Sequence, residues 1–250
     1  MITLKRPEEI AVMREAGRLL GEVLAELRDA VRPGLTTLDL DRTAQREIRR
    51  RGCVPGFLGY QGFPRHLCIS VNEEVVHGIP GRRRLQEGDL VSLDCGLIHQ
   101  GWWADAGISV GCGTLAPAAQ RLLDVTNEAL RLGVAQARPG NHIGDIGHAV
   151  QTYVEAQGFG VVRQYVGHGI GRDMHEEPAV PNYGRPGRGV EIRRGLCLAI
   201  EPMVNEGTPD TVVQPDGWTV VTADSRWACY AEHTVAITDD GPEILTRVPH

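Results

Sequence analysis

From residue 7 to residue 31 apolar residues recur every three or four positions. Ile10, Met13, Gly17, Leu20, Leu24, Leu27 and Val31 make one continuous stripe. That spacing predicts an amphipathic helix with one buried face. Pro7 suits its first turn, and Arg32-Pro33-Gly34 ends it. Residues 117–137 repeat the plan, opened by Pro117 and closed by Arg138-Pro139-Gly140. Between the two helices the period shortens to two. Val91, Leu93 and Cys95 alternate with small or polar residues, which predicts a half-buried strand. Asp94 interrupts that strand and Asp105 interrupts the next apolar run, AGISVGC. A carboxylate within a strand is disfavoured and costly to desolvate, so this pair has to be holding something.

The two helices open two similar halves. Pro33 and Pro139, Asp39 and Asp145, and Gly52 and Gly158 all stand 106 positions apart. GDLVSLD (88–94) then aligns with GLCLAIE (195–201), and DAGISV (105–110) with EHTVAI (232–237). One shared offset across several markers indicates an internal duplication. Each half therefore carries two acids on strands, Asp94 and Asp105 in the first, Glu201 and Glu232 in the second. The expected architecture is α+β: two pseudo-repeats, roughly 7–111 and 117–240, each with two helices followed by antiparallel strands. The short turn GCGTLAP (111–117) is the seam, and residues 1–250 are expected to form a single catalytic domain.

Composition narrows the function classes. An apolar share of 42% and a charged share of 23% are ordinary for a globular protein. A net charge of −6 gives no reason to expect nucleic acid or an anionic membrane as partner. No apolar run is long enough to span a bilayer, and the start has no secretory signal, so a cytoplasmic protein is expected. The six cysteines are widely spread and form no CxxC pair, which reads as free thiols in a reducing compartment. Cys95 should point away from the face that carries Asp94. Lys5 is the only lysine.

If the halves pack about a pseudo-two-fold axis, four carboxylates converge at its centre. They cannot all ionise there without counter-charge. Two divalent cations balance four negative charges, and carboxylate bridging suits a two-metal site. His168, in the glycine-flanked run YVGHGIG, offers a nitrogen ligand. Mixed carboxylate and imidazole ligation favours Mn, Fe(II), Co or Zn. Any one of these residues alone reads as structural, but their symmetric placement makes a metal site the better reading. His77, in VVHGIP, is by itself a core or turn histidine. FLGYQGF (57–63) is either a glycine-rich aromatic loop packed on the core or one wall of a pocket.

CISVNEEVVHGIP (68–80), SLDCG with Asp105 following, YVGHGIGRDMHEEP (165–178), AIEP (199–202) and EHT (232–234) resemble, in order and spacing, the type I methionine aminopeptidases. The resemblance covers nearly the whole chain. It implies the pita-bread (creatinase/aminopeptidase) fold and removal of the initiator methionine from chains with a small second residue. It also implies that Asp94, Asp105, His168, Glu201 and Glu232 bind two divalent ions, with Asp105 and Glu232 bridging them. Glu201 would move the proton of the attacking water. His77 and His175 would hydrogen-bond the substrate and the intermediate. Phe57, Tyr60, Phe63, Cys68 and Trp218 would surround the methionine side chain, with Met174 at the edge. The implied partners are the N-termini of nascent polypeptides, with a transient ribosome contact, and the implied state is a monomer.

The sequence departs from that family pattern beside the ligands. Trp103-Ala104 stand where His-Gly is usual, and Ala106 where Thr or Ser usually follows the aspartate. Ala231 stands where an aromatic usually precedes the glutamate, with Tyr230 one position earlier. Phe57 occupies a place often held by a smaller residue. The rival readings are an Xaa-Pro aminopeptidase or prolidase, a metal-free creatinase-like hydrolase, and a non-catalytic protein-binding member of the fold. Prolidases usually carry an extra N-terminal domain. The other two are expected to lose ligands, and all five are present here.

Overall fold

The computed structural model of the protein describes residues 2–249. Helix α1 (Pro7–Ala30) opens with Pro at its first position, Glu8 and Glu9 in its first turn and Arg28 in its last, all favourable to the helix dipole. Helix α2 (Thr37–Arg50) is capped by Thr36, whose hydroxyl accepts from the Asp39 amide at 3.2 Å. The first half continues through strands β1 (Val54–Pro55), β2 (Cys68–Val71), β3 (Glu74–Val76), β4 (Leu90–His99) and β5 (Trp102–Gly111). The second half opens with α3 (Pro117–Gln136) and α4 (Ile143–Ala156). Strands β6 (Gly160–Val161), β7 (Gly167–Gly169), β8 (Glu176–Val180), β9 (Cys197–Ile200) and β10 (Met203–Asn205) follow. The chain ends through β11 (Thr211–Val213), β12 (Val220–Thr222), β13 (Ala228–Tyr230), β14 (His233–Thr238) and β15 (Gly241–Ile244).

The positions that match in sequence do matching work. Asp39 accepts from the Thr36 amide at 3.1 Å, and Asp145 from the His142 amide at 2.7 Å, so both acids secure the start of a second helix. Gly52 and Gly158 both take positive φ, 70° and 83°, in the turns that follow those helices. The helices predicted over 7–31 and 117–137 end within a residue of the observed ones.

In the first half β4 lies between β2 and β5, and β1 pairs with its far end. In the second half a five-stranded antiparallel sheet runs β15-β14-β9-β7-β8. Helices α1 and α2 cover the first sheet, with Leu20, Leu24, Leu40 and Ile48 packed among Val91, Leu93, Cys95 and Leu97. Leu130 and Ile146, on α3 and α4, pack with Leu198, Ile200 and Val235 of the second sheet. Strand β4 corrects the half-buried expectation, because its other face is covered as well. Ser92 and Asp94 on that face look toward the second half.

The halves meet along β5 and the turn between β13 and β14, in three antiparallel rungs. Gly107 and Glu232 exchange backbone hydrogen bonds, Glu232 N–H donating at 2.9 Å and Gly107 N–H at 3.3 Å. On one side the Thr234 hydroxyl donates to the Asp105 carbonyl at 2.7 Å and accepts from the Asp105 amide at 3.1 Å. On the other the Ser109 hydroxyl donates to the Tyr230 carbonyl at 2.6 Å and accepts from its amide at 3.3 Å. Side-chain hydroxyls thus replace the missing ladder at the two flanking rungs. The six cysteines are free and buried. Among the described residues no helix is long and apolar enough to cross a membrane.

Candidate metal centre

Asp94 and Asp105 project from the middle of β4 and β5, close to the seam. Their partners differ slightly from the expected placement on strands. Glu201 lies one residue beyond β9, before Pro202, and Glu232 one residue before β14. His168 is the central residue of β7, opposite Ala199 of β9. These elements bring ligand atoms of Asp105, His168 and Glu232 within 4.8 Å of one another. The His168 Nε2 stands 3.6 Å from Glu201 Oε1 and 3.9 Å from Asp105 Oδ2. Asp94 and Glu201 line the same cavity as Asp105 and His168.

The electrostatics of this cluster are unbalanced. Burial pushes the carboxyls of Asp94, Asp105 and Glu201 well above the usual range, and the neighbouring carboxylates, Glu232 foremost, push them further. Burial lifts Glu232 to about 7, with the Tyr230 hydroxyl bond pulling the other way. His168 is pushed down to about 4 by burial and then by His175, so it is neutral and makes no ion pair with its acidic neighbours. Its Nδ1 lies 2.9 Å from the Gly169 carbonyl. With Nδ1 donating there, Nε2 is left as a bare lone pair facing the acids.

The donor set passes a direct test for a cation. Asp94 Oδ1, Asp105 Oδ1 and Glu232 Oε1 are buried and have no hydrogen-bond partner in the protein. An unpartnered buried carboxylate oxygen is expensive, and three of them beside the His168 imidazole fit a metal cation.

Above the cluster is a cavity of about 190 Å³. Phe57, Tyr60, Phe63, Cys68, Met174 and Trp218 line it, together with His77 and His175. Every residue that the resemblance placed at the substrate is therefore in one cleft. The aromatic loop packs as a wall, with Phe63 edge-on to Trp218 at 5.1 Å and to Phe57 at 6.4 Å. His175 precedes β8, which is antiparallel to β7, and its ring centroid lies 4.1 Å from that of His168. The Tyr60 hydroxyl lies 2.7 Å from His175 Nδ1. If Tyr60 donates, the proton of His175 sits on Nε2. His77 takes a positive φ of 60° and is pushed down to about 4 by burial and then by His175. Burial also lowers His175, so both histidines are neutral donors.

The loop that carries Met174 and His175 is anchored from the far end of the chain. Lys5 Nζ donates to Glu176 Oε2 at 2.5 Å in a buried pair. Gln61 and Tyr230 also line the cavity and were not expected there. Gln61 enters through a positive φ of 48°, which the sequence does not announce. Tyr230 had a legible signal: it stands two positions before Glu232, on the same face of an extended chain.

A duplicated fold carrying a carboxylate–imidazole cluster beneath a cleft walled by aromatic side chains is the architecture of a metallopeptidase. The model of Metallopeptidase family M24 matches residues 11–239, and the chain belongs to that family. Its relatives narrow the class. It is 52% identical to the methionine aminopeptidase of Clostridium acetobutylicum, over 98% of this chain and 99% of that one. It is 47% identical to methionine aminopeptidase 1 of Bacillus subtilis, over 99% and 100%. The crystal structure of the Rickettsia prowazekii methionine aminopeptidase superposes with a TM-score of 0.97 at 40% identity, covering 98% of this chain and 100% of that one. A prolidase from Pyrococcus horikoshii, at 19% identity and a TM-score of 0.79, shares the fold over 64% of its own length.

Proposed function

We propose that this protein is a methionine aminopeptidase, releasing the N-terminal methionine from peptides whose second residue is small. The observation that carries this reading is the set of three unpartnered buried carboxylate oxygens, of Asp94, Asp105 and Glu232, clustered with His168 against a cavity walled by aromatic and sulfur-bearing side chains. Such a wall suits a flexible thioether. The identity of about half to methionine aminopeptidases over nearly the full chain supports the same substrate.

In this reading Asp94, Asp105, His168, Glu201 and Glu232 hold two divalent ions, which supply an acidified water and a polarised carbonyl. The chain's own groups do the rest. Glu201 takes the proton of the attacking water and returns it to the leaving amine. His175, oriented by Tyr60, and His77 donate hydrogen bonds to the scissile carbonyl oxygen and to the oxyanion that develops on it. The cavity orients the methionine side chain and excludes water from the reacting carbonyl. Both halves contribute ligands, so they act as one catalytic domain. Newly made polypeptides at the ribosome are the natural substrates, and a monomer suffices for the reaction.

The test is a titration of the metal-stripped protein with Mn(II) or Co(II) while release of methionine from Met-Ala-Ser is followed. Metal-dependent release is the expected outcome. No release at any metal loading, or faster cleavage of Xaa-Pro peptides, overturns the assignment.

A further inference from the structure

We infer that Tyr230 is a positioning residue for the metal centre: its hydroxyl holds the Glu232 carboxylate in one orientation, with one oxygen engaged and the other bare. This rests on reading the acidic cluster as a metal centre. The Tyr230 hydroxyl donates to Glu232 Oε2 at 2.5 Å, while Oε1 has no partner. A buried phenol needs a hydrogen-bond acceptor, and this one takes a carboxylate oxygen of the cluster itself.

Three features keep the hydroxyl in place. Tyr230 and Glu232 are two apart on extended chain and share a face. The Tyr230 backbone is clasped on both sides by the Ser109 hydroxyl, which is itself 2.7 Å from the Ser92 hydroxyl. The ring lies over Gly107, the residue directly opposite Glu232 across the seam, and a Cβ there would overlap it. Glycine at 107 is therefore the space that the tyrosine occupies.

The shift of the aromatic from position 231 to 230 now has a physical meaning. Moving by one residue along a strand turns a side chain to the opposite face. Ala231 packs into the core with Leu198 and Val235, whereas Tyr230 faces the acids. A ring kept only for packing needs no hydroxyl. Here the hydroxyl fixes a side chain with three rotatable bonds before any ion arrives, which lowers the ordering cost of ligation. Hydrogen bonds to ligating groups are worth about 10–100-fold in metal affinity.

The experiment is Mn(II) binding to the metal-stripped protein by calorimetry, wild type against Tyr230→Phe. Phenylalanine keeps the ring over Gly107, so the metal-free melting temperature should stay within a few degrees. The expected result is a Kd weaker by about 10–100-fold. Gly107→Ala leaves every hydroxyl in the chain but displaces the ring, and should weaken binding in the same direction. Zn(II) binding should also perturb the near-ultraviolet tyrosine absorbance of the wild type by a component that Tyr230→Phe lacks. Wild-type Mn(II) affinity in Tyr230→Phe overturns the inference and leaves the metal centre standing. No Mn(II) binding by the wild type overturns both.

Discussion

The two halves supply the same number of acids to the centre, but they build them differently. In the first half, Asp94 and Asp105 stand inside a continuous hairpin of two ten-residue strands, paired along its whole length. In the second, β9 spans only Cys197–Ile200 and ends at Glu201, while Glu232 sits in a break between β13 and β14. Short side chains stand where the backbone is regular and close to the centre. Longer ones stand just outside the regular strands, at the end of β9 and before β14. Strand β7 stands beside β9 as β2 stands beside β4, but it brings His168 to the acids where β2 brings Cys68, and it pairs with β8, which follows directly on His175. One copy of the duplicated unit thus offers its acids from a continuous hairpin, and the other offers them from strand ends beside a histidine.

That division can be broken most directly with two matched amides. Glu201→Gln should lower kcat by about 10²–10⁴-fold with the fold retained, because a proton carrier is lost. Asp94→Asn makes the same chemical change on the hairpin and should appear chiefly as weaker metal binding, with kcat largely recovered at saturating Mn(II). Equal, metal-insensitive losses in both variants would erase the distinction. Next in size are two core truncations at matched positions. Leu93 and Ile200 are both fully buried, so Leu93→Ala and Ile200→Ala should each cost about 2–5 kcal/mol in denaturant unfolding. Only Ile200→Ala should also weaken Mn(II) binding, since Glu201 hangs from a strand end without a following partner strand to hold it.

The pH dependence separates the acids from the imidazoles. Glu232, raised to about 7, is protonated in the metal-free fold where the unfolded chain is ionised. Its contribution to stability is full below the ordinary carboxylate range and is lost as pH rises toward 7. His77 and His168, both lowered to about 4, act in the opposite sense. They are neutral in the fold while the unfolded chain takes up protons below about 6.5, so stability falls as pH drops from there toward 4. Thermal melts of metal-free protein should therefore weaken on both sides of mildly acidic pH. Bound metal expels the carboxyl protons, so in its presence the alkaline limb should vanish and the acid limb remain. The smallest contrast is at the helix caps. Thr36→Ala removes a side-chain cap and should cost about 1 kcal/mol, whereas His142→Ala, with no side-chain cap bond, should change the melt little.

Much of the fold was legible because local rules agreed. The apolar stripe, Pro7 and Pro117, and the glycine stops set α1 and α3, and the shared offset paired Asp39 with Asp145, which secure the starts of α2 and α4. The acids were legible because a carboxylate in an apolar strand is costly and rarely without purpose. The cover on the second face of β4 was not legible, because alternation in one strand does not reveal what packs on its polar side. Nor were the chain breaks that move Glu201 and Glu232 off their strands, because they depend on pairing with distant partners. His77 and His175 entered only through family resemblance, since an isolated histidine has no periodic context. Tyr230 was noted beside the ligands as a departure, but its bond to Glu232 was not legible, because its ring finds room only over Gly107, far away in sequence.

The three rungs along β5 give the molecule a zip fastener whose middle tooth is also one of the proposed metal ligands. The amides of Gly107 and Glu232 are bonded to each other's carbonyls, so neither can meet solvent unless the halves part by a few ångströms. Any such parting carries Glu232 away from Asp105 and His168. Solvent exchange at these two amides, slower with added Mn(II) than without, should therefore serve as a built-in gauge of how firmly the proposed centre clamps the halves together.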